Sequence, residues 1–113
     1  MRKEHALTVI GVAVVAVLFL IAFELVDQLS LKDHYRRAKY AFENQRYDQA
    51  VGLFKLALTK RTPIQDYILY YLGEAYFQEG RAAEADLYFK RLVEQFPSNP
   101  FLEKVQYRLL QVE

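Results

Sequence analysis

The feature that most constrains the fold is a spaced pattern that occurs once clearly and once more weakly upstream. The better copy combines a Leu-Gly pair, aromatic and small residues and a terminal proline: Leu72, Gly73, Tyr76, Ala85, Phe89 and Pro97. Ala50 and Phe54 stand 35 residues before Ala85 and Phe89. A repeat of this length predicts stacked helical hairpins, each of which buries its apolar face against the next.

Apolar periodicity and breaking residues predict helices throughout the chain beyond the apolar amino-terminal run. The predicted helices cover residues 31–44, 47–59, 64–79, 82–95 and 101–112, separated by turns at 44–46, 60–63, 80 and 96–100. Ser30 is suited to cap the first of these helices, but no glycine or proline excludes a helix that continues from the apolar run. Since no segment alternates with a period of two, the predicted fold is all-α.

The amino-terminal part of the chain contains an apolar run long enough to cross a membrane. Ala6 to Phe23 is an uncharged stretch of eighteen residues. Its extension past Glu24 to Val26 gives about 20 residues, which as a helix span roughly 30 Å. A cleavable signal peptide has a similar basic leader, but a shorter apolar run and a small-residue cleavage site. The sequence therefore predicts a transmembrane anchor at residues 6–26 behind a basic leader at residues 1–5.

The charges that flank this run bear on its orientation. Arg2 and Lys3 favour a cytoplasmic amino terminus, which places the later helices in the periplasm or outside the cell. A second basic group, however, follows the run: Lys32, Arg36, Arg37 and Lys39. The charge count therefore does not exclude the alternative of a tether whose helical domain faces the cytoplasm. The basic group itself suits lipid headgroups, an acidic partner segment or simple exposure to solvent.

The remaining composition argues against nucleic-acid binding and catalysis. Thirteen basic and thirteen acidic residues balance from Glu24 onward, whereas nucleic-acid phosphates require a basic surface. The two histidines, His5 and His34, flank the apolar run, and the sequence has no cysteine, no glycine-rich phosphate loop and no HExxH motif. We therefore expect no catalytic residue, no cofactor and no metal site.

The pattern around Gly73 resembles the tetratricopeptide repeat, and the resemblance covers roughly residues 32–97. It implies that Gly73 and Ala85 allow close approach of paired helices, and that Tyr76 and Phe89 fill the groove around that contact. The implied core residues are Ala50, Phe54, Leu69, Leu72, Gly73, Tyr76, Ala85, Phe89, Leu92 and Pro97. The first unit departs from the family pattern, because Arg37 and Ala38 replace the Leu-Gly pair and Ala41 replaces the aromatic residue.

This resemblance divides the chain beyond the anchor into short segments. We expect a linker at residues 27–31 and a helical domain at 32–113, made of repeats at 32–63 and 66–99 and a capping helix at 100–112. About three repeats are normally needed for a stable array. Two and a half repeats with a modest core favour binding to a partner or self-association.

In the family, the first helix of each hairpin lines a partner groove, and by position the resemblance implies a set of groove residues. They are Tyr35, Lys39 and Phe42, next to Lys32, in the first unit and Tyr67, Tyr70, Glu74 and Phe77 in the second. Tyrosine and phenylalanine offer large contact areas at low entropic cost. The alternative for the aromatic members is packing against the last helix.

The run from Tyr70 to Tyr76 and the later Phe96-Pro97 pair are similar to bacterial envelope adaptors that carry such repeats. The resemblance implies a membrane-anchored scaffold that binds protein partners during assembly or upkeep of an envelope complex. Two alternatives stay open at this point. One is a structural subunit whose transmembrane helix packs on partner helices, and the other is the cytoplasm-facing tether.

Overall fold

The computed structural model describes residues 2–59 and 62–112, and all regular secondary structure in these ranges is helical. The helices in chain order are α1 (Lys3–Glu43), α2 (Tyr47–Leu58), α3 (Gln65–Gln78), α4 (Ala82–Gln95) and α5 (Leu102–Val112). The predicted all-α fold is confirmed. The predicted break at residues 60–63 falls partly on Lys60 and Arg61, which lie outside the described residues, as do Met1 of the predicted leader and Glu113.

Helix α1 is longer than the sequence predicts, because it continues through residues 27–31. The predicted linker in that range, with a new helix capped by Ser30, is therefore wrong, and the alternative of a continuous helix describes the chain. The physical reason is that nothing from Glu24 to Asp33 interrupts helical hydrogen bonding. By its internal contacts the chain divides into two units, Met1–Ser30 and Leu31–Glu113.

In the second unit, the carboxy-terminal part of α1 contacts α2 through the rings of Tyr35 and Phe54, and α3 pairs with α4. Helix α2 also packs on α3, and α5 packs on α4, so the helices form a consecutive stack. The side chains that fill the core are small or large apolar groups. Nine of the predicted core residues are buried: Ala50, Phe54, Leu69, Leu72, Gly73, Tyr76, Ala85, Phe89 and Leu92. Pro97 is exposed and follows the end of α4.

Glycine 73 is required for the close contact of α3 with α4. A Cβ atom built at this position would overlap the aromatic ring of Phe89. The ring of Phe89 thus occupies the space that the missing side chain leaves, and it is fully buried there. The glycine therefore admits a large aromatic group between the paired helices, in addition to the small residue Ala85.

Both hairpins turn through the same hydrogen-bond pattern. After α1, the Arg46 amide donates to the Ala41 carbonyl at 2.8 Å, and Gln45 has a positive φ of 61°. After α3, the Arg81 amide donates to the Tyr76 carbonyl at 2.9 Å, and Gly80 has a φ of 75°. This is the Schellman arrangement, in which a left-handed residue satisfies the last carbonyls of a helix. It fixes an arginine at the same place in each hairpin.

Candidate partner-binding groove

An open groove runs along α1 in the first hairpin and has a volume of about 490 Å³. Residues three and four positions apart share one face of a helix, which places several α1 side chains along its wall. Its lining comprises Lys32, Tyr35, Arg36, Lys39, Tyr40, Glu43 and Ile64. Two of the predicted groove residues, Tyr35 and Lys39, therefore lie in a concave surface, together with the neighbouring Lys32.

The groove carries three basic side chains and one acidic side chain. The Lys39 ammonium lies 3.9 Å from the Glu43 carboxylate and 5.1 Å from the centre of the Tyr71 ring. Both contacts are long, and exposed ion pairs of this type contribute little to stability. Within the described ranges, Arg36 has no ion pair. The groove thus presents positive charge that a partner carboxylate can approach without breaking a strong internal pair.

Tyr35 supplies a neutral hydrogen-bonding group to this groove. Its ring packs edge-to-face on Phe54 with 6.0 Å between centroids, and the side chain is half-buried. Burial, and to a smaller extent the neighbouring Tyr71 phenol, raises the pKa of Tyr35 to about 12. The phenol therefore stays protonated under physiological conditions and is able to donate a hydrogen bond.

In the second hairpin, most predicted groove residues are covered by the segment that follows α4. The Tyr70 ring stacks on Phe101 with 4.0 Å between centroids, and Tyr70 is only 7% exposed. Desolvation raises the pKa of Tyr70 to about 12. Tyr67 meets the same Phe101 ring at 5.0 Å but keeps 38% of its surface exposed. Tyr67 is therefore accessible, whereas Tyr70 belongs to the packing of the domain.

Glu74 and Phe77 also face α5. Arg108 donates from Nε to one Glu74 carboxylate oxygen at 2.8 Å and from Nη2 to the other at 3.2 Å. The same guanidinium lies 4.1 Å from the centre of the Phe77 ring. Glu74 is 6% exposed, and Phe77 is half-buried. The expectation of open groove side chains fails at Tyr70 and Glu74, because the last helix and the loop before it cover them.

Phe42 occupies an intermediate position at the contact between the two hairpins. Its ring lies 5.4 Å from Tyr47 of α2 and 5.3 Å from Tyr71 of α3, edge-to-face in both cases. Aromatic pairs at these distances stabilise packing beyond the area that they bury. Phe42 is half-buried, and its ring joins the hairpins.

Four groove residues were not in the predicted groove set: Arg36, Tyr40, Glu43 and Ile64. Arg36 was noted only as part of the basic group that follows the apolar run. Arg36 and Tyr40 follow Lys32 at helical spacing, so the signal was present in the periodicity of α1. Tyr40 is 65% exposed, which is high for so large a side chain. Ile64 had no such signal, since its place in the groove depends on tertiary packing next to α1.

Two further features of the described residues concern metal binding and membrane attachment. They contain no group of three or more His, Cys, Asp or Glu side chains that could hold a metal ion. They include one helix, Lys3–Glu43, that is long and apolar enough to cross a membrane. Its apolar part is exposed in the isolated chain, and by these criteria alone a transmembrane anchor and a signal sequence are equivalent.

Comparison with known proteins gave one family match. The family model described as tetratricopeptide repeat matches residues 35–100, which include the carboxy-terminal end of α1, helices α2 to α4 and the groove residues Tyr35 and Lys39. A search of curated proteins returned no significant match.

Proposed function

The chain belongs to the tetratricopeptide repeat family, a generally non-catalytic fold for protein–protein interaction, and we propose that it holds a protein partner at a membrane of the bacterial cell envelope. The observation that carries this proposal is the open, basic and aromatic groove along α1. Six of its seven lining residues lie within the family match, and it follows the helix that the family uses for binding. A peptide segment of the partner is the occupant that such a groove suits.

The chemistry of the groove specifies how a segment would bind. Tyr35 donates a hydrogen bond from a phenol that remains neutral, while Lys39 attracts a carboxylate. Ile64 adds an apolar side chain to the lining of the groove. A few buried aromatic or cationic side chains commonly dominate binding energy at protein interfaces. We therefore assign the main contacts to Tyr35 and Lys39, with Tyr67 as an accessible neighbour on α3.

The membrane attachment is supported by the apolar part of α1. A segment of this length and hydropathy fits the hydrocarbon thickness of a bilayer. The basic residues Arg2 and Lys3 favour retention of the amino terminus in the cytoplasm, so the repeats would act on the opposite side. The anchor would then keep the scaffold close to an envelope complex during its assembly or upkeep.

Site-specific crosslinking in native membranes tests the groove. A photoreactive amino acid replaces Lys32, an exposed lining residue of the groove, in one variant and Tyr67 in another. A third variant carries it at Leu87, which is 62% exposed on α4 outside the groove. We expect a defined protein adduct from the first two positions and none from Leu87. Equal adducts from all three positions, or no protein adduct from the probe at Lys32, would contradict a partner in the groove.

A separate experiment addresses the anchor and its orientation. Alkaline phosphatase fused after Glu113 is expected to be active, since it folds only outside the cytoplasm, and the protein should resist extraction by alkaline carbonate. Deletion of residues 1–26 should release the repeats without loss of the groove crosslink in a reconstituted extract. Loss of the crosslink together with the helix would instead support the subunit whose transmembrane helix packs on its partners.

A further inference from the structure

Each hairpin has an arginine at the same point of its turn, but the side chains around the two arginines differ. In the second hairpin, the Arg81 guanidinium lies 2.7 Å from the Glu84 carboxylate and 4.9 Å from the centre of the Tyr76 ring. The hydrogen bonds that the Arg81 guanidinium donates to the Glu84 carboxylate lower the pKa of Glu84. The arginine of this turn thus has both a carboxylate and an aromatic partner within its own hairpin.

In the first hairpin, both of these partners are replaced. At the repeat distance of 35 residues, Gln49 stands in the place of Glu84, and Ala41 in the place of Tyr76. Within the described part of the chain, Arg46 has neither an ion pair nor an aromatic ring under its guanidinium. The backbone geometry that fixes the arginine is the same, so the difference lies in the side chains around it.

Arg46 borders a cleft between α1 and α2. The apolar residues at the base of this cleft do not line the groove described above. We name it the arginine cleft; its volume is about 370 Å³, and its lining is Arg36, Arg37, Tyr40, Ala41, Arg46, Gln49 and Leu53. None of these side chains is a carboxylate. Arg37 contacts Asp33 at 3.2 Å, but both side chains are at least half exposed, so this pair is weak. Three guanidinium groups therefore surround a floor made of Ala41 and Leu53.

The equivalent surface of the second hairpin indicates which kind of structural element packs in such a cleft. There, α2 packs against α3. The Phe54 ring stacks on Tyr71 at 5.7 Å, and the Lys55 ammonium lies 5.5 Å from the centre of the Tyr76 ring. The positions of α1 that correspond to Tyr71 and Tyr76 are Arg36 and Ala41. The arginine cleft is thus the face on which a preceding helix would pack.

We propose that an acidic amphipathic helix from a protein partner packs in the arginine cleft, in the position that α2 takes against α3. Its carboxylates would face Arg36, Arg37 and Arg46, and an apolar side chain would fill the floor against Leu53 and the exposed ring of Tyr40. Charge complementarity selects the acidic helix, because the cleft offers guanidinium groups for bidentate pairing and no carboxylate of its own. The apolar floor favours a protein helix over the headgroups of a lipid surface.

This inference rests on the proposed role as a protein-binding scaffold but uses a different surface from the groove. The two surfaces share Arg36 and Tyr40 at their rims. Lys39 lines only the groove, whereas Arg46 and Gln49 line only the arginine cleft. Variants at these residues therefore separate the two proposals.

The test uses the full chain in nanodiscs of neutral phosphatidylcholine and a synthetic amphipathic helical peptide that carries Glu on its polar face and Leu on its apolar face. Fluorescence anisotropy measures binding against a matched peptide in which every Glu is Gln. We expect the Glu peptide to bind at least about tenfold more tightly, with an affinity that falls as salt is added. Equal affinity of the two peptides would overturn the proposal.

The decisive variant is Gln49→Glu, which supplies Arg46 with the internal partner that Glu84 gives Arg81. The variant keeps every arginine. We expect it to weaken binding of the Glu peptide about tenfold, because Arg46 would then pair with a carboxylate of its own hairpin. Arg46→Gln should weaken it to a similar degree, and Arg36→Gln combined with Arg46→Gln should weaken it further. Lys104→Gln, at an exposed position of α5, is the charge control and should leave the affinity unchanged.

Two results distinguish the other readings. If Gln49→Glu and Arg46→Gln bind the Glu peptide as tightly as the unmodified chain, the arginine cleft is not the binding surface. If phosphatidylglycerol in the nanodisc protects Arg46 from phenylglyoxal while the Glu peptide shows no binding, the guanidinium groups contact lipid, and the proposal falls. Lys39→Gln should abolish the groove crosslink but leave peptide binding intact, so failure of the groove and failure of the cleft are distinguishable.

Discussion

The two hairpins keep the same packing residues on their second helices and differ on their first helices. Ala50 and Phe54 of the first hairpin and Ala85 and Phe89 of the second are all fully buried at equivalent positions. The first helices differ in the core, where Ala38 stands in the place of Gly73, and also on the surfaces that meet a neighbour or solvent. Close packing keeps the second helices alike, whereas the outer faces of a repeat are free to specialise.

Their neighbours explain part of this difference. The second hairpin lies between α2 on one side and α5 on the other, and Glu74 and Tyr70 are buried as a result. The equivalent residues of the first hairpin, Lys39 and Tyr35, line an open groove. The same two helix positions thus serve packing in one hairpin and are available for binding in the other.

The largest expected effect comes from the glycine contact that only the second hairpin has. Gly73→Ala should destabilise the fold by about 3 kcal/mol, because the new methyl group overlaps the buried ring of Phe89. Thermal unfolding of the full chain in detergent, followed by circular dichroism, measures the change. The first hairpin accommodates a methyl group at the equivalent residue, Ala38, which is fully buried.

Gly52→Ala is the matched control for this prediction. Gly52 also lies inside a helix, but a Cβ atom there meets nothing within 4 Å. We expect it to raise stability by about 0.5–1 kcal/mol through helix propensity alone. If both alanine variants behave alike, the Phe89 ring moves aside easily, and the proposed constraint on the second hairpin is lost.

An intermediate effect is expected where α5 covers the second hairpin. Glu74→Gln removes the charge that pairs with Arg108 across a largely buried contact, and we expect a loss of about 2 kcal/mol. The Arg108 side chain is 25% exposed, which keeps the loss below that of a fully buried pair. A double-mutant cycle with Arg108→Gln in thermal unfolding should show strong coupling. Glu84→Gln, which removes the exposed partner of Arg81, should leave the melting temperature almost unchanged.

The smallest effect concerns the turns, where the hairpins use different residues in the same conformation. Gln45→Gly should stabilise the first turn by about 1 kcal/mol, because glycine adopts a positive φ without steric cost. Gly80→Ala should destabilise the second turn by about 1 kcal/mol for the same reason. Melting temperatures that move in the same direction for both variants would show that the two turns are not equivalent.

Much of the fold could be predicted from the sequence because helix positions depend on local patterns. Gly80 ends α3 in the left-handed conformation, as expected, and α4 spans the predicted residues. The continuity of α1 was harder to predict. Ser30 has the chemistry of a helix cap, but nothing in the neighbouring residues breaks the helix. A local preference for capping did not outweigh the hydrogen bonds of a continuous helix.

The candidate site was less predictable, because exposure depends on partners that are distant in sequence. Tyr35 and Tyr70 occupy the same repeat position and have the same residue type. One lines a groove, and the other stacks beneath Phe101. No local pattern distinguishes them, since the covering residues come from the loop before α5.

The sequence by itself determined the helical repeat, the apolar segment and the close contact at Gly73, because periodicity, hydropathy and side-chain size are local properties. Only the tertiary structure decided which surfaces remain open. Arg108 reaches Glu74 across 34 residues and covers the second hairpin. Arg46, fixed by an identical turn to that of Arg81, has no such partner and borders an open cleft. Burial and charge compensation are properties of the assembled stack, so the binding surfaces emerged only when the helices were placed together.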